Sequence, residues 1–157
     1  MENGLFIRMA ETSDAMAVKE IMKIAFEKYI RDSGISTTVE ALTETIEQIE
    51  LDIKNKYVYM AFMDGIPVGS FRITLCNDAT ALLTRFGVVT GFSNRGIGNE
   101  LLAFIDILAE KLKINKLMLN TAVSHTKTMN FYLKRGFYVD SAENSRGYER
   151  ALLIKEY

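Results

Sequence analysis

Between residues 81 and 120 the sequence reads as strand, glycine-bearing loop, helix and strand, and this unit constrains most of what the chain can become. Ala81 to Val89 is a largely apolar run, Gly91 to Gly98 is polar, and Ile97, Leu101, Ile105, Leu108 and Leu112 then recur at helical spacing. Ile114 to Asn120 returns to alternation, with Leu117 and Leu119 on one face. Gly87 stands inside the first strand, where glycine marks a bulge or a close backbone approach.

The segments before this unit predict a hairpin-rich sheet. Leu5 to Met9 is a short opening strand, and Thr12-Ser13-Asp14 offers N-cap chemistry to a helix carrying Val18, Ile21, Met22, Ala25 and Tyr29. Ser33-Gly34 closes that helix. A second helix follows Thr37-Thr38, with Leu42, Ile46, Ile49 and Ile53 on one stripe. Tyr57 to Met63 and the segment after Asp64-Gly65 read as a hairpin. Its second strand alternates Val68, Ser70, Arg72 and Thr74 with Gly69, Phe71, Ile73 and Leu75, predicting one buried face and one wet or cleft face. After residue 120 a short helix runs from His125 to Arg135, closed by Gly136, and strands at Phe137 to Asp140 and Glu149 to Lys155 end the chain. The order is β-α-α-β-β-β-α-β-α-β-β, an α/β (α+β) chain with a mixed sheet.

At 157 residues, the expectation is one domain over residues 1–157, able to bury roughly 70% of its unfolded surface. A net charge of −1 with no strongly basic half predicts no nucleic-acid partner. No apolar run has membrane-spanning length, so no membrane association is expected. The start carries no signal-peptide pattern, and Cys76 is alone; a cytoplasmic location follows as the expectation. With one histidine and no cysteine at ligand spacing, no metal is expected. Cys76 itself reads as a buried small hydrophobe.

The chemistry concentrates at Val88 to Leu102. The first amides of a helix have no internal partner and lie at the positive end of its dipole. Gly96 and Gly98 remove side chains that would hold a phosphate away from them, which suits a pyrophosphate. The Rossmann pattern fails because Leu101 stands where the third glycine belongs, and the P-loop fails because Asn99-Glu100 replaces Lys-Ser/Thr.

Phe92 followed by Ser93-Asn94-Arg95-Gly96-Ile97-Gly98, with Val88 on the strand, resembles the acyl-CoA loop of the GNAT superfamily of N-acetyltransferases, Arg/Gln-x-x-Gly-x-Gly/Ala. Ser93 departs from the usual Arg or Gln. A second signature of that superfamily, Asn-x-x-Ala-x-x-Phe/Leu-Tyr followed by Gly-Phe, resembles His125 to Tyr132 and Gly136-Phe137, with His125 and Thr128 replacing Asn and Ala.

The resemblance implies a GNAT-like fold, acetyl-CoA as acyl donor and direct attack by a primary amine on the thioester. It implies that the strand at Phe86-Gly87-Val88 splays from its neighbour at a bulge and pairs with the pantetheine arm. Asn94, Arg95, Gly96, Ile97 and Gly98 would hold the pyrophosphate, with Ser93 and His125 beside the donor, and Tyr132 would protonate the leaving thiolate. For the base, a water chain, His125 and Glu27 all stand open. Phe26, Tyr29 and Ile30 would wall the acceptor side, and Arg72 and Arg85 are candidates to hold a substrate carboxylate. The acceptor is a small-molecule or protein amine, and a homodimer is possible by resemblance. Two rivals remain: a non-catalytic acyl-CoA-binding module, and a transferase using another acyl-CoA.

Overall fold

The computed structural model describes residues 4–35, 39–89, 91–92 and 96–157. In chain order the elements are β1 (Leu5–Met9), α1 (Ala15–Ser33), α2 (Glu40–Thr43), α3 (Ile46–Asn55), β2 (Tyr57–Met63), β3 (Ile66–Leu75), β4 (Thr80–Val88), α4 (Ile97–Lys111), β5 (Lys116–Ala122), α5 (Thr126–Leu133), β6 (Tyr138–Glu143) and β7 (Arg150–Glu156). A one-turn 3₁₀ helix at Thr12–Asp14 precedes α1, with Glu11 and Asp14 capping it reciprocally. Among the described residues no helix is long and apolar enough to cross a membrane.

The strands form one sheet in the order β1-β2-β3-β4-β5-β7-β6. Among the described strands only β4 and β5 are parallel. The pair is joined through α4, as a crossover between parallel neighbours requires. The hairpin turn at Asp64-Gly65 has positive φ at both residues, 51° and 83°, the primed geometry that matches strand twist.

Alternation along β2 divides the interior into two layers. Val58 and Met60 pack with Val18, Ile21 and Met22 of α1 and with Ile49 of α3. Tyr59 and Ala61 face the opposite way, into the layer built on Ile97, Leu101, Ile105 and Leu108 of α4. The sheet therefore carries α1 and α3 on one face and α4 on the other, and the four α4 residues are the stripe its sequence spacing predicts.

Three expectations need correction. The second helix is two helices, because Glu44 is extended (φ −68°, ψ 135°) and Thr45 restarts the chain with a capping box to Gln48. The even face of β3 is not wet: Ser70 and Arg72 are fully buried, with the Ser70 hydroxyl donating to the Tyr59 carbonyl at 2.7 Å. Cys76, expected inside, is exposed.

Candidate functional site

The sheet opens in its middle. β4 pairs with β5 only from Thr80–Lys116 to Leu82–Met118, although β4 continues to Val88 and β5 to Ala122. On its other side β4 stays paired to β3, but the register jumps from Ser70↔Gly87 to Arg72↔Thr84. Arg85 and Phe86 thus stand together opposite Phe71, a β-bulge, and Arg85 takes a positive φ of 52°. The bulge turns β4 away from β5, and a cavity of about 440 Å³ lies in the gap.

The walls come from both halves of the chain. Phe26 and Tyr29 of α1 and Leu82 to Gly87 of β4 form one side; Leu119 to Thr121, His125, Phe131 and Tyr132 form the other. Of the residues singled out in the sequence, the fold brings Phe26, Tyr29, Arg85, Phe86, Gly87, His125 and Tyr132 to this one cavity. Ser93, Asn94 and Arg95 lie outside the described residues.

Tyr132 is buried, with edge contacts to Phe86, Phe131 and Phe137 at 6.0, 5.2 and 5.4 Å between ring centroids. Among the described residues nothing hydrogen-bonds its hydroxyl. Burial pushes the phenol well above its ordinary pKa, so it stays protonated. A protonated, unengaged phenol on a cavity wall is a ready hydrogen-bond donor.

Gly96 opens α4 in the left-handed region, φ 75°, with no side chain capping the helix. The ladder begins with Glu100 N–H to the Gly96 carbonyl at 3.1 Å, so the amides before it remain directed at whatever lies ahead of the helix. Gly98 has a packing reason: a Cβ there would come within 3.1 Å of the Phe131 ring. Ile97 is anchored in the core, and Val88 is partly buried against the same layer.

Gly87 also has a packing reason. A Cβ on it would lie 2.8 Å from the Ala25 Cβ, so glycine here admits α1 against β4, a close approach of the kind a glycine within a strand marks.

His125 caps α5: its Nδ1 accepts from the Thr128 amide at 3.2 Å. The proton of the neutral ring therefore sits on Nε2, and the basic lone pair is already engaged. Desolvation depresses its pKa, partly offset by Asp32. His125 is thus not available as a base, and Glu27 is exposed outside the cavity lining. The hydroxyl of Tyr29 accepts from the Ala122 amide at 2.7 Å and bonds Thr121 Oγ1 at 3.1 Å.

Arg72 is not a substrate residue. Its guanidinium binds both oxygens of Glu44 (2.7 and 2.8 Å) and one of Asp52 (2.7 Å), under the α2–α3 break and away from the cavity lining. Sequence reasoning missed Glu44, although the Thr45-x-x-Gln48 box that frees it was readable. It also missed Arg146 and Tyr148 of the β6–β7 turn and Arg150 at the start of β7, which line the cavity; no motif marks them.

Comparison with known proteins bears on this geometry. A family model described as the acetyltransferase (GNAT) family matches residues 18–137. Among solved structures, the PaiA N-acetyltransferase from Thermoplasma acidophilum in complex with coenzyme A matches at 20% identity and TM-score 0.83, covering 98% of this chain and 99% of that one. A GNAT family acetyltransferase from Elizabethkingia anophelis with acetyl-CoA bound matches at 17% identity and TM-score 0.77, covering 99% and 100%. The ribosomal-protein-S18-alanine N-acetyltransferase from Escherichia coli matches at 16% identity and TM-score 0.74, covering 97% and 93%. A search of the curated proteins found no match.

Proposed function

Because this chain belongs to the acetyltransferase (GNAT) family, we propose that it is an acetyl-CoA-dependent N-acetyltransferase and that its own residues divide the work as follows. The observation that carries the assignment is the gap between β4 and β5, with the Tyr132 hydroxyl on its wall and the uncapped start of α4 beyond it.

The donor's pantetheine arm would run along the free edge of β4 at Phe86–Val88, where backbone groups lack a strand partner beyond Leu82. Its pyrophosphate would rest at Gly96, Ile97 and Gly98, where helix amides and dipole favour an anion; Ser93, Asn94 and Arg95 complete the proposed loop. Tyr132 would meet the thioester sulfur. The acceptor amine attacks the thioester carbon, the C–S bond breaks as the C–N bond forms, the phenol proton goes to the departing sulfur, and the proton shed by the new amide nitrogen returns through water to the phenolate. Phe26 and Tyr29 would line the acceptor's approach. His125 acts as a positioning residue, holding the first turn of α5 and with it Tyr132.

An alkyl ammonium has an ordinary pKa of about 10 and must lose a proton before attack. The carboxylates in the cavity wall are already engaged: Asp32 with Lys28 and Glu40 with Arg146. Water at the cavity mouth is the acceptor this arrangement favours. The lone, unpaired Cys76 accords with a cytoplasmic site of action.

Release of free thiol from acetyl-CoA across an amine panel tests the reading. The expected result is turnover with at least one amine, and a drop of about a hundredfold in kcat for Tyr132→Phe. Coenzyme A binding without turnover would favour the non-catalytic module instead.

A further inference from the structure

Resting on the transferase reading above, we infer that the acceptor carries a carboxylate besides its amine, and that Arg85 and Arg150 bind it. The starting point is a guanidinium with two loose ion pairs and no hydrogen bond among the described residues. Arg85 lies on the bulge of β4 with its side chain only 22% exposed, and it makes no hydrogen bond among the described residues. Its Nε is buried and unpartnered. The nearest carboxylates stand beyond hydrogen-bond distance, Glu44 at 3.7 Å and Glu40 at 3.9 Å. Glu44 is held in a two-pronged pair with Arg72, which keeps its carboxylate outside hydrogen-bond distance of Arg85. A mostly buried cation left without a hydrogen-bonded partner is costly unless a ligand completes it.

Arg150 reaches the same cavity from the opposite wall. Among the described residues only its Nε is engaged, by Glu143 at 3.1 Å, which leaves its terminal nitrogens to form the fork that a carboxylate fits. Arg146 shares that wall but is held by Glu40 at 2.6 Å. The charges of Arg85, Arg146 and Arg150 all bear on Glu40 and hold its carboxyl below the ordinary range, the Arg146 hydrogen bond most of all. Glu40 is the carboxylate of the cavity lining beside these three guanidinia, with Glu143 on Arg150 and Glu44 near Arg85 outside the lining; the unfilled guanidinium nitrogens suit an anionic group.

The test is a matched series of acceptors: straight-chain ω-amino acids, alkylamines of the same length, and the corresponding diamines, assayed by thiol release. At one chain length or more, kcat/KM for the amino acid should exceed that of both its partners by at least about tenfold. Arg85→Gln and Arg150→Gln should each cut that ratio by about tenfold. Diamines preferred at every length, or a ratio unmoved by both substitutions, would overturn the inference. If no amine releases thiol, the transferase reading fails separately. Calorimetry then decides this one: tighter binding of an N-acetyl ω-amino acid than of its uncharged amide, weakened by Arg85→Gln, supports the carboxylate site, and equal binding of the two refutes it.

Discussion

Tyr29 and His125 lie ring on ring, with centroids 4.9 Å apart and 14° between their planes. The contact joins the last turns of α1 to the cap of α5, and the Tyr29 hydroxyl adds bonds to Thr121 and the Ala122 amide.

Tyr29→Phe should keep the stacked ring and lose the hydroxyl. Ala122 is fully buried, so its amide would be left without a partner. A loss of about 1–2 kcal/mol in unfolding free energy is expected from urea titration. A change within error of zero would mean that water replaces the phenol there.

Protonation of His125 bears on stability as well. Its folded pKa lies below the ordinary 6.5, chiefly through desolvation. Below 6.5 the unfolded chain takes up a proton that the folded chain resists. The stabilisation is therefore complete above that pH and is lost as pH falls toward the folded value. Asparagine caps a helix equally well without titrating. His125→Asn should flatten the fall in stability just below pH 6.5; parallel curves for the two proteins would contradict the assignment.

Arg72→Met should cost about 3–5 kcal/mol, because Glu44 keeps its charge in a buried place after its partner is removed. Adding Glu44→Leu should recover part of the loss, giving a double variant more stable than the sum of the single effects. Denaturant midpoints of the four proteins measure this, and strict additivity would show that the pair is not coupled.

Gly87→Ala should destabilise by about 1–3 kcal/mol, since the new methyl would collide with Ala25. Exchanging the volume through Ala25→Gly in the same chain should relieve part of that strain. Thermal melts of both single variants and the double one read the coupling.

Most of the architecture was legible because it rests on periodicity. The α4 stripe, the Asp64-Gly65 turn and the β2 boundaries each have a local cause. What escaped depends on contacts between distant residues. The wet face expected along β3 became a buried ionic layer only because the chain breaks at Glu44 and turns that carboxylate toward Arg72. Gly87 marked a close approach, yet nothing local says that its neighbour is Ala25, on a helix 62 positions earlier in the chain. The same limit hid Arg146 and Arg150, whose place in the cavity is set by how β6 and β7 fold back.

The early parting of β4 from β5 has a mechanical consequence. Past Leu82 no ladder among the described residues ties the first four strands to the last three, and the load passes to the C-terminal end of α1. Tyr29 grips Thr121 and Ala122 there, and Ser124 donates to the Ser33 carbonyl at 2.7 Å. That helix end is a strut across the slot. Substitutions along it, remote from the sulfur, would reset how wide the slot stands and therefore which thioester tails slide in.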